Sequence, residues 1–251
     1  MNHDATTIPD APPSLPWLTT EQMVEVDRIM VEDLGIGLVQ MMESAGRDLA
    51  QLARVRFFGG DPRGRRIAVL AGPGGNGGGA LVAARRLHGW GAHVTVVTSS
   101  PSDRFAEVPA AQLARVDRLG IEIHDTDRVD RLGSFDVVID GIIGYSLAGA
   151  PRGLAATLIG WANGTARPVL SLDLPSGLDA TTGDAHDPVV RAAATLTLAL
   201  PKVGLRHVGA RPLVGELYVG DIGVPPEVFT APTVGVDVGA IFATAEILRI
   251  W

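Results

Sequence analysis

The chain has 251 residues, which suits one large α/β domain or two small ones, and a formal net charge of −7. Its 21 Lys and Arg residues against 28 Asp and Glu residues make nucleic acid and anionic membranes poor partners. The absence of cysteine excludes disulfides, thiolate metal sites and a cysteine nucleophile.

The first 18 residues are rich in proline and polar residues, which predicts a flexible arm over 1–18 before a single domain over 19–251. This segment lacks the basic end and apolar run of a signal peptide, so we expect a cytoplasmic protein. No uninterrupted apolar run of about 18 residues occurs, so we expect no membrane span and no membrane partner.

Two helices are predicted next, separated by Gly35 and Gly37. Thr19 or Thr20 can cap the first helix. In the second helix, apolar residues at helical spacing predict a stripe that faces the core, with methionine as a filler. The stripe consists of Leu38, Met41, Met42, Ala45, Leu49 and Leu52.

From residue 66 onward, short apolar runs alternate with helical segments. Strands are predicted at 66–72, 93–99, 121–124, 136–142, 168–174, 194–200 and 215–222. Helices are predicted at 78–90, 103–119 and 152–163, with a closing helix at 240–251. The pattern predicts an α/β fold with a mostly parallel sheet covered on both faces. The last strands lack an obvious helix between them, which leaves room for an antiparallel edge.

Ligands of open parallel sheets bind beyond the carboxyl ends of the strands. Four such ends carry glycine or charged residues, namely 72–79, 140–149, 173–179 and 201–204. We therefore expect these four segments to surround a small-molecule site.

A glycine-rich segment, "AGPGGNGGGALVAARRL", begins at Ala71. Gly72, Gly74 and Gly77 fit G-x-G-x-x-G between a strand and a helix, which predicts a loop for phosphate or nucleotide. The alternative is that the glycines only allow a tight turn. An ordinary dinucleotide site also needs an acid after the next strand, where this chain has "TSSPSD". The pattern is thus not typical of an NAD dehydrogenase.

Two aspartates lie near the carboxyl ends of predicted strands, and a lysine follows a third strand. Asp140 either caps the next turn or binds a cation or substrate hydroxyls. Asp173 stands in an apolar strand end before a Pro-Ser-Gly turn, and a carboxyl in such a place suits general acid/base catalysis. Lys202 is either a solvated surface lysine or a contact to phosphate.

Three motifs in this order resemble the NAD(P)H-hydrate epimerase family, which has the YjeF N-terminal-like domain. They are the glycine segment, "DVVIDGIIG" and "SLDLPSGLDATTG", preceded by the Met-Glu-x-Ala-Gly element at Met42. No trace of the dehydratase domain of some relatives is present, so a stand-alone form is expected. The resemblance implies a Rossmann-like three-layer α/β/α sandwich that is often a homodimer.

The resemblance also implies an activity, the interconversion of the R and S forms of NADH or NADPH hydrated at C6 of the nicotinamide ring. It implies a potassium ion held by Asn76, Asp140 and Ser176, and it implies that Asp173 contacts the hydrated ring as acid/base. Residues that would face the substrate are Gly74, Gly75, Asn76, Gly77, Gly78, Gly79, Gly144, Tyr145, Ser146 and Asp173.

The chain departs from the family pattern in both substrate-facing loops. Gly75 stands where the family has asparagine, Gly79 where it has an acid, and Tyr145 where it has a small threonine. Two hypotheses follow. The first is an epimerase, or an isomerase with a shifted substrate. The second is a nucleotide-binding module of the same fold that has lost turnover and acts in binding or regulation.

Overall fold

The structure is a computed structural model that describes residues 7–251. Eight strands form one sheet in the order β3-β2-β1-β4-β5-β6-β7-β8. All neighbouring strands are parallel except β7 and β8. The strands are β1 (Arg66–Ala71), β2 (His93–Thr98), β3 (Glu122–Asp125), β4 (Val137–Gly141), β5 (Val169–Leu172), β6 (Ala194–Leu198), β7 (Glu216–Gly220) and β8 (Ile247–Arg249). The predicted mostly parallel sheet is therefore confirmed.

Helices cover both faces of the sheet. They are α1 (Thr20–Arg28), α2 (Leu38–Phe58), α3 (Gly75–Gly89), α4 (Glu107–Arg118), α5 (Gly153–Gly164), α6 (Arg211–Val214) and α7 (Pro226–Thr230). Alternate residues of β1 point to opposite sides: Ile67 and Val69 pack with α2, α3 and α4, whereas Ala68 and Leu70 pack with α5. This alternation produces the predicted three-layer α/β/α sandwich. No helix in the described part of the chain has the length and apolar character that a membrane span requires.

The two N-terminal helices begin where the sequence predicts. Thr19 caps α1, since its Oγ1 accepts the Gln22 N–H at 3.2 Å while the Gln22 side chain accepts the Thr19 N–H at 2.9 Å. Leu49 and Leu52 of α2 are buried in the core as expected. Leu38, the first residue of the predicted stripe, differs from the prediction because its side chain is 44% exposed. It lines a cavity together with Met41, Met42 and Ala45.

Helix α3 begins at Gly75, three residues earlier than the predicted start at 78. Four of its first five residues are glycines, whose low helix propensity makes the segment look like a loop. The glycine segment is thus a short turn, Gly72 to Gly74, followed by the first turns of a helix.

The two chain ends differ from the predictions. The expected closing helix is wrong, because Ile247–Arg249 form β8 against β7, and pairing satisfies that strand's open edge. The described part of the predicted arm, residues 7–18, packs against the domain. Ala11 N–H donates to the Arg249 carbonyl at 2.7 Å, Leu18 N–H donates to the Pro201 carbonyl at 2.9 Å, and Leu18 is fully buried. Residues 1–6 of that arm lie outside the described residues.

Candidate functional site

A cavity of about 300 Å³ lies beyond the carboxyl ends of the central strands, as the sheet rule predicts. All four predicted strand ends contribute to it, through Gly75, Asn76, Gly79, Gly144, Tyr145, Ser146, Asp173 and Lys202. Helices α1 and α2 supply a further wall, which is mostly apolar, from Met23, Asp27, Leu38, Met41, Met42 and Ala45. A concave, largely apolar site with a few convergent polar groups is typical of small-molecule binding.

Gly72 and Gly77 are required by the packing of the backbone. A Cβ atom at Gly72 would lie 1.9 Å from the Ile142 carbonyl oxygen, and one at Gly77 would lie 1.8 Å from the Gly72 carbonyl oxygen. Gly75 is open, with only the Met42 side chain nearby at 3.8 Å. The steric explanation therefore accounts for Gly72 and Gly77, while Gly75 is the glycine that leaves room in the cavity.

Gly79 lines the cavity at the position where the family carries an acid. A Cβ atom there would lie 2.8 Å from Cδ2 of Leu172, the last residue of β5. Cδ2 is the far end of the flexible Leu172 side chain, which can move aside for a larger residue at position 79. Gly79 therefore brings no side chain to the cavity, and the apolar side chain of Leu172 lies next to this position.

Asp173 follows β5 directly and is almost fully buried at 3% exposure. Its backbone has a positive φ of 67°, a left-handed conformation that aspartate tolerates better than most residues. The Asp173 N–H donates to the Leu196 carbonyl at 2.7 Å, which fixes this turn to β6. The strained backbone aims the carboxylate into the cavity rather than along the strand.

Lys202 is the ion-pair partner of Asp173. Its Nζ lies 2.5 Å from Asp173 Oδ1 and donates to the Leu198 carbonyl at 2.9 Å, and the residue is fully buried. The hypothesis of a solvated surface lysine is therefore wrong. Ala199, with a φ of 62°, turns the chain after β6 and brings Lys202 back to the site. Both charged groups are buried, so each needs the opposite charge of the other to offset the free-energy cost of its burial.

Tyr145 connects the second turn to helix α1. Its backbone N–H donates to Asp173 Oδ2 at 3.1 Å, and its hydroxyl donates to Asp27 Oδ2 in a short hydrogen bond. The Lys202 Nζ lies 5.9 Å from the centroid of the tyrosine ring. Burial raises the pKa of both Asp27 and the Tyr145 hydroxyl. The cavity therefore contains two carboxyl groups, one ammonium group and a phenol.

Asp140 lies at the end of β4, fully buried behind the cavity. Its carboxylate accepts hydrogen bonds from the Ser171 hydroxyl at 2.8 Å, the Ser176 hydroxyl at 2.6 Å, the Ser176 N–H at 2.9 Å and the Ile142 N–H at 3.2 Å. Burial nevertheless raises its pKa. Asp140 thus joins the two turns that follow β4 and β5, consistent with the turn-capping hypothesis.

Asn76 stands beside these turns on the first turn of α3. Its Nδ2 is buried with no partner among residues 7–251. A Cβ atom on Gly144 would lie 3.3 Å from the Asn76 Oδ1 and 3.2 Å from the Asp173 Oδ2, so glycine at 144 allows both side chains to approach. An unpartnered buried amide requires an explanation, and a ligand bound in the cavity would supply the missing partner.

Asn76 Oδ1 and Ser176 Oγ also supply oxygen donors of the kind that an alkali cation accepts. The Ser176 hydroxyl is within reach of Asp140 Oδ1 at 2.6 Å and of the Ile143 carbonyl at 3.1 Å. When the Ser176 hydroxyl donates its hydrogen bond to the Ile143 carbonyl instead of to Asp140, a lone pair of Asp140 Oδ1 becomes free. The donor set predicted from the resemblance therefore fits a cation chemically.

The fold and this site define a Rossmann-like α/β/α protein with a small-molecule site at the carboxyl edge of its sheet. The family model described as "YjeF-related protein N-terminus" matches residues 38–204. The chain belongs to this family.

Individual relatives agree with the family match. The NAD(P)H-hydrate epimerase of Dehalogenimonas lykanthroporepellens is 44% identical over 85% of this chain and 84% of that protein. The bifunctional NAD(P)H-hydrate repair enzyme Nnr of Pyrobaculum aerophilum is 35% identical over 84% of this chain, which spans 42% of that enzyme. The crystal structure of the yeast protein YNL200c has a TM-score of 0.81 at 26% identity, covering 94% of this chain and all of that one.

The sequence does not predict Asp27 as a site residue, and it leaves the role of Lys202 open. Lys202 follows a predicted strand at the expected site, but nothing in the sequence indicates that its side chain is buried against Asp173. Asp27 is one of three acids in α1, and its residue type does not set it apart from Glu21 or Glu25. The available signal was that Asp27 lies four residues after the buried Met23, on the face of α1 that points to the protein.

Proposed function

We propose that this protein is an NAD(P)H-hydrate epimerase, which interconverts the R and S forms of NADH or NADPH hydrated at C6. The observation that carries the proposal is the buried Asp173–Lys202 pair in the cavity wall, since it brings a proton donor and a proton acceptor to one point. The family membership and the named relatives support the same activity.

The chemistry follows from the carbinolamine at C6. The Asp173–Lys202 pair gives a proton to the C6 hydroxyl, the C–O bond breaks, and the oxygen leaves as water with the bonding electrons. The lone pair of the ring nitrogen forms a planar iminium. Water then adds to the opposite face, the C=N electron pair returns to nitrogen, and the proton of the water passes to a base of the protein. No atom or electron is lost, and the other epimer results.

The remainder of the substrate has groups that the site suits. Helix α3 begins at Gly75 beside the cavity, and the free N–H groups of its first turn favour the oxygens of a phosphate. The buried Nδ2 of Asn76 is a donor for a ribose or amide oxygen. The turn with Gly144, Tyr145 and Ser146 forms the facing wall.

We also propose the cation expected from the family, a potassium ion at Asn76, Asp140 and Ser176. A bound cation would hold the turns after β4 and β5 in register and offset the buried charge of Asp140. The test is thermal denaturation at constant ionic strength in potassium or in tetramethylammonium chloride. Potassium should raise the melting temperature of the wild type, and should do so less in Asn76→Ala. Equal melting temperatures in both salts would remove the cation from the proposal.

The activity itself is tested by a coupled assay. The R hydrate is supplied together with a dehydratase specific for the S form, and the protein should accelerate consumption of the R form above spontaneous epimerisation. Thermal denaturation with ADP-ribose runs in parallel, since a ligand that binds the folded state raises its melting temperature. An unaccelerated reaction would reject the epimerase.

A binding module without turnover is the second candidate. The replacement of the family's acid by Gly79 and the bulk of Tyr145 in the cavity wall favour it. The two measurements separate the candidates, since a binding module would be stabilised by ADP-ribose without accelerating the reaction.

A homodimer in the cytoplasm completes the proposal, as expected from the family and from the sequence. Sedimentation equilibrium gives the mass in solution, and a mass of one chain at micromolar concentration would contradict the dimer. Fractionation of source cells gives the location.

A further inference from the structure

The Asp27–Tyr145 pair has no part in the step performed by Asp173 and Lys202. Both residues line the cavity, and the Tyr145 hydroxyl donates to Asp27 Oδ2. Among residues 7–251, no other side chain or backbone group donates a hydrogen bond to the Asp27 carboxyl, so its Oδ1 is available to a ligand. A partly buried carboxyl with a free oxygen in a cavity is a candidate for proton transfer.

The reaction requires more than one acid/base group. Water leaves from one face of C6 and returns to the other, so a proton must be delivered on one side of the ring and removed on the other. A single fixed pair can reach only one side unless the ring turns over inside the cavity. Asp173 enters the cavity from the end of β5, whereas Asp27 enters from helix α1, and these are different walls.

We propose that Asp27 is the second acid/base group of the epimerase, serving the face of C6 that Asp173 and Lys202 do not reach, and that Tyr145 positions it. This inference rests on the proposed epimerase function. When Asp173 and Lys202 protonate the leaving hydroxyl, Asp27 removes the proton of the entering water. In the reverse direction Asp27, carrying that proton, gives it to the hydroxyl, and Asp173 with Lys202 accepts one from water.

The electrostatics of the cavity support this exchange of roles. Burial raises the pKa of Asp27 and the nearby Asp173 adds to the rise, while the Tyr145 hydrogen bond and the Lys202 charge oppose it. Asp27 therefore interacts electrostatically with both members of the Asp173–Lys202 pair. Burial and the Asp27 charge raise the pKa of Tyr145, so its hydroxyl stays protonated and keeps donating to the carboxylate.

Tyr145 gives the chain an arrangement that the family's threonine cannot make in the same way. Its ring extends from the second turn to α1, and its backbone N–H holds Asp173 Oδ2 at 3.1 Å. One residue therefore touches both carboxyl groups. Tyr145, one of the chain's departures from the family pattern, is thus the residue that sets the distance between the two acid/base groups.

The experiment uses Asp27→Asn, which keeps the shape but cannot take up a proton. Each epimer of the hydrate is incubated in H₂¹⁸O, and two rates are followed by chiral chromatography and mass spectrometry: epimerisation, and incorporation of ¹⁸O without inversion. Water that returns to the face it left exchanges the oxygen and preserves the epimer. Asp27→Asn should lose epimerisation by at least about 100-fold while one epimer still exchanges its oxygen at close to the wild-type rate.

Two further variants complete the test. Tyr145→Phe retains the carboxyl of Asp27 but not its hydrogen bond, so epimerisation should fall by about 10-fold. The acidic limb of the pH–rate profile should move to higher pH, because the hydrogen bond that is lost lowers the pKa of Asp27 in the wild type. Glu32→Gln, an exposed acid that follows α1, is the matched control and should behave as the wild type. ADP-ribose should still raise the melting temperature of each variant, which would show that the variants fold and keep the nucleotide site.

The outcomes are distinguishable. Wild-type epimerisation in Asp27→Asn would overturn the inference, as would parallel loss of exchange and epimerisation from both epimers, since that indicates one shared acid/base group. Failure of the wild type itself to epimerise or to exchange oxygen would instead reject the proposed function.

Discussion

At the scale of single residues, the site depends on one buried ion pair. The sequence indicates Asp173 because an acid in an apolar strand end is unusual. It places Lys202 at the same edge of the sheet but does not predict its ion pair with Asp173, because burial of the lysine depends on the turn at Ala199 and on the distant carboxylate. Side chains on strand ends can thus be predicted from the sheet rule, whereas their pairing depends on backbone turns that composition does not specify.

The pair should behave as a unit in stability measurements. Asp173→Asn or Lys202→Met alone leaves one buried charge without its partner and should lower the free energy of unfolding by about 3 kcal/mol. The double variant should lose clearly less than the sum of the two. Urea denaturation of the four proteins measures this, and additive losses would show that the two charges do not interact. All three variants should lack epimerase activity.

At the scale of elements, the glycine segment combines two functions that its composition does not separate. The strand before it and the helix after it can be predicted from their apolar patterns. The start of α3 cannot, because glycine disfavours a helix that here is stabilised by packing of α3 against α2 and β1. Close backbone contacts explain Gly72 and Gly77, and access to the cavity explains Gly75.

This division predicts opposite effects for two neighbouring substitutions. Gly77→Ala places a methyl group on the Gly72 carbonyl and should lower the free energy of unfolding by more than about 2 kcal/mol. Gly75→Ala meets only ordinary contacts in a helical turn and should keep or raise the melting temperature, while weakening stabilisation by ADP-ribose. Thermal denaturation with and without the ligand tests both. Equal destabilisation by the two changes would contradict the assignment.

At the scale of the whole molecule, a carboxyl group is buried between α2 and the far strands of the sheet. Asp48 accepts a hydrogen bond from Arg47 Nε at 3.0 Å, and its Oδ2 has no partner among residues 7–251. Burial raises the pKa of Asp48 to about 7, and the charges of Glu246 and Asp221 add to the rise while that of Arg47 opposes it. The sequence does not identify Asp48 as buried, because helical periodicity assigns apolar residues to the core and charged residues to the surface.

Because of Asp48, the free energy of unfolding should decrease as the pH rises. Its pKa in the folded chain exceeds the unfolded value, so its contribution is fully present below about pH 4 and is lost as the pH rises to about 7, by on the order of 4 kcal/mol. Asp48→Asn should remove this slope, so that the variant gains stability relative to the wild type between pH 5 and pH 8. Urea denaturation of both proteins at pH 5 and at pH 8 measures the difference in the free energy of unfolding. Asp117→Asn, on the exposed face of α4, is the control, and a slope unchanged by Asp48→Asn would contradict the assignment.

The N-terminal segment has a consequence for how the chain is handled. Leu18 pairs with the backbone on both sides of Lys202, since its N–H donates to the Pro201 carbonyl at 2.9 Å and its carbonyl accepts the Val203 N–H at 2.9 Å. Two residues later α1 begins, and it carries Asp27. Residues 38–204, which the family model matches, therefore omit part of the support of the lysine and the α1 part of the cavity wall, including Asp27. A recombinant fragment cut to those limits would be an incomplete enzyme, and its inactivity would say nothing about the full chain.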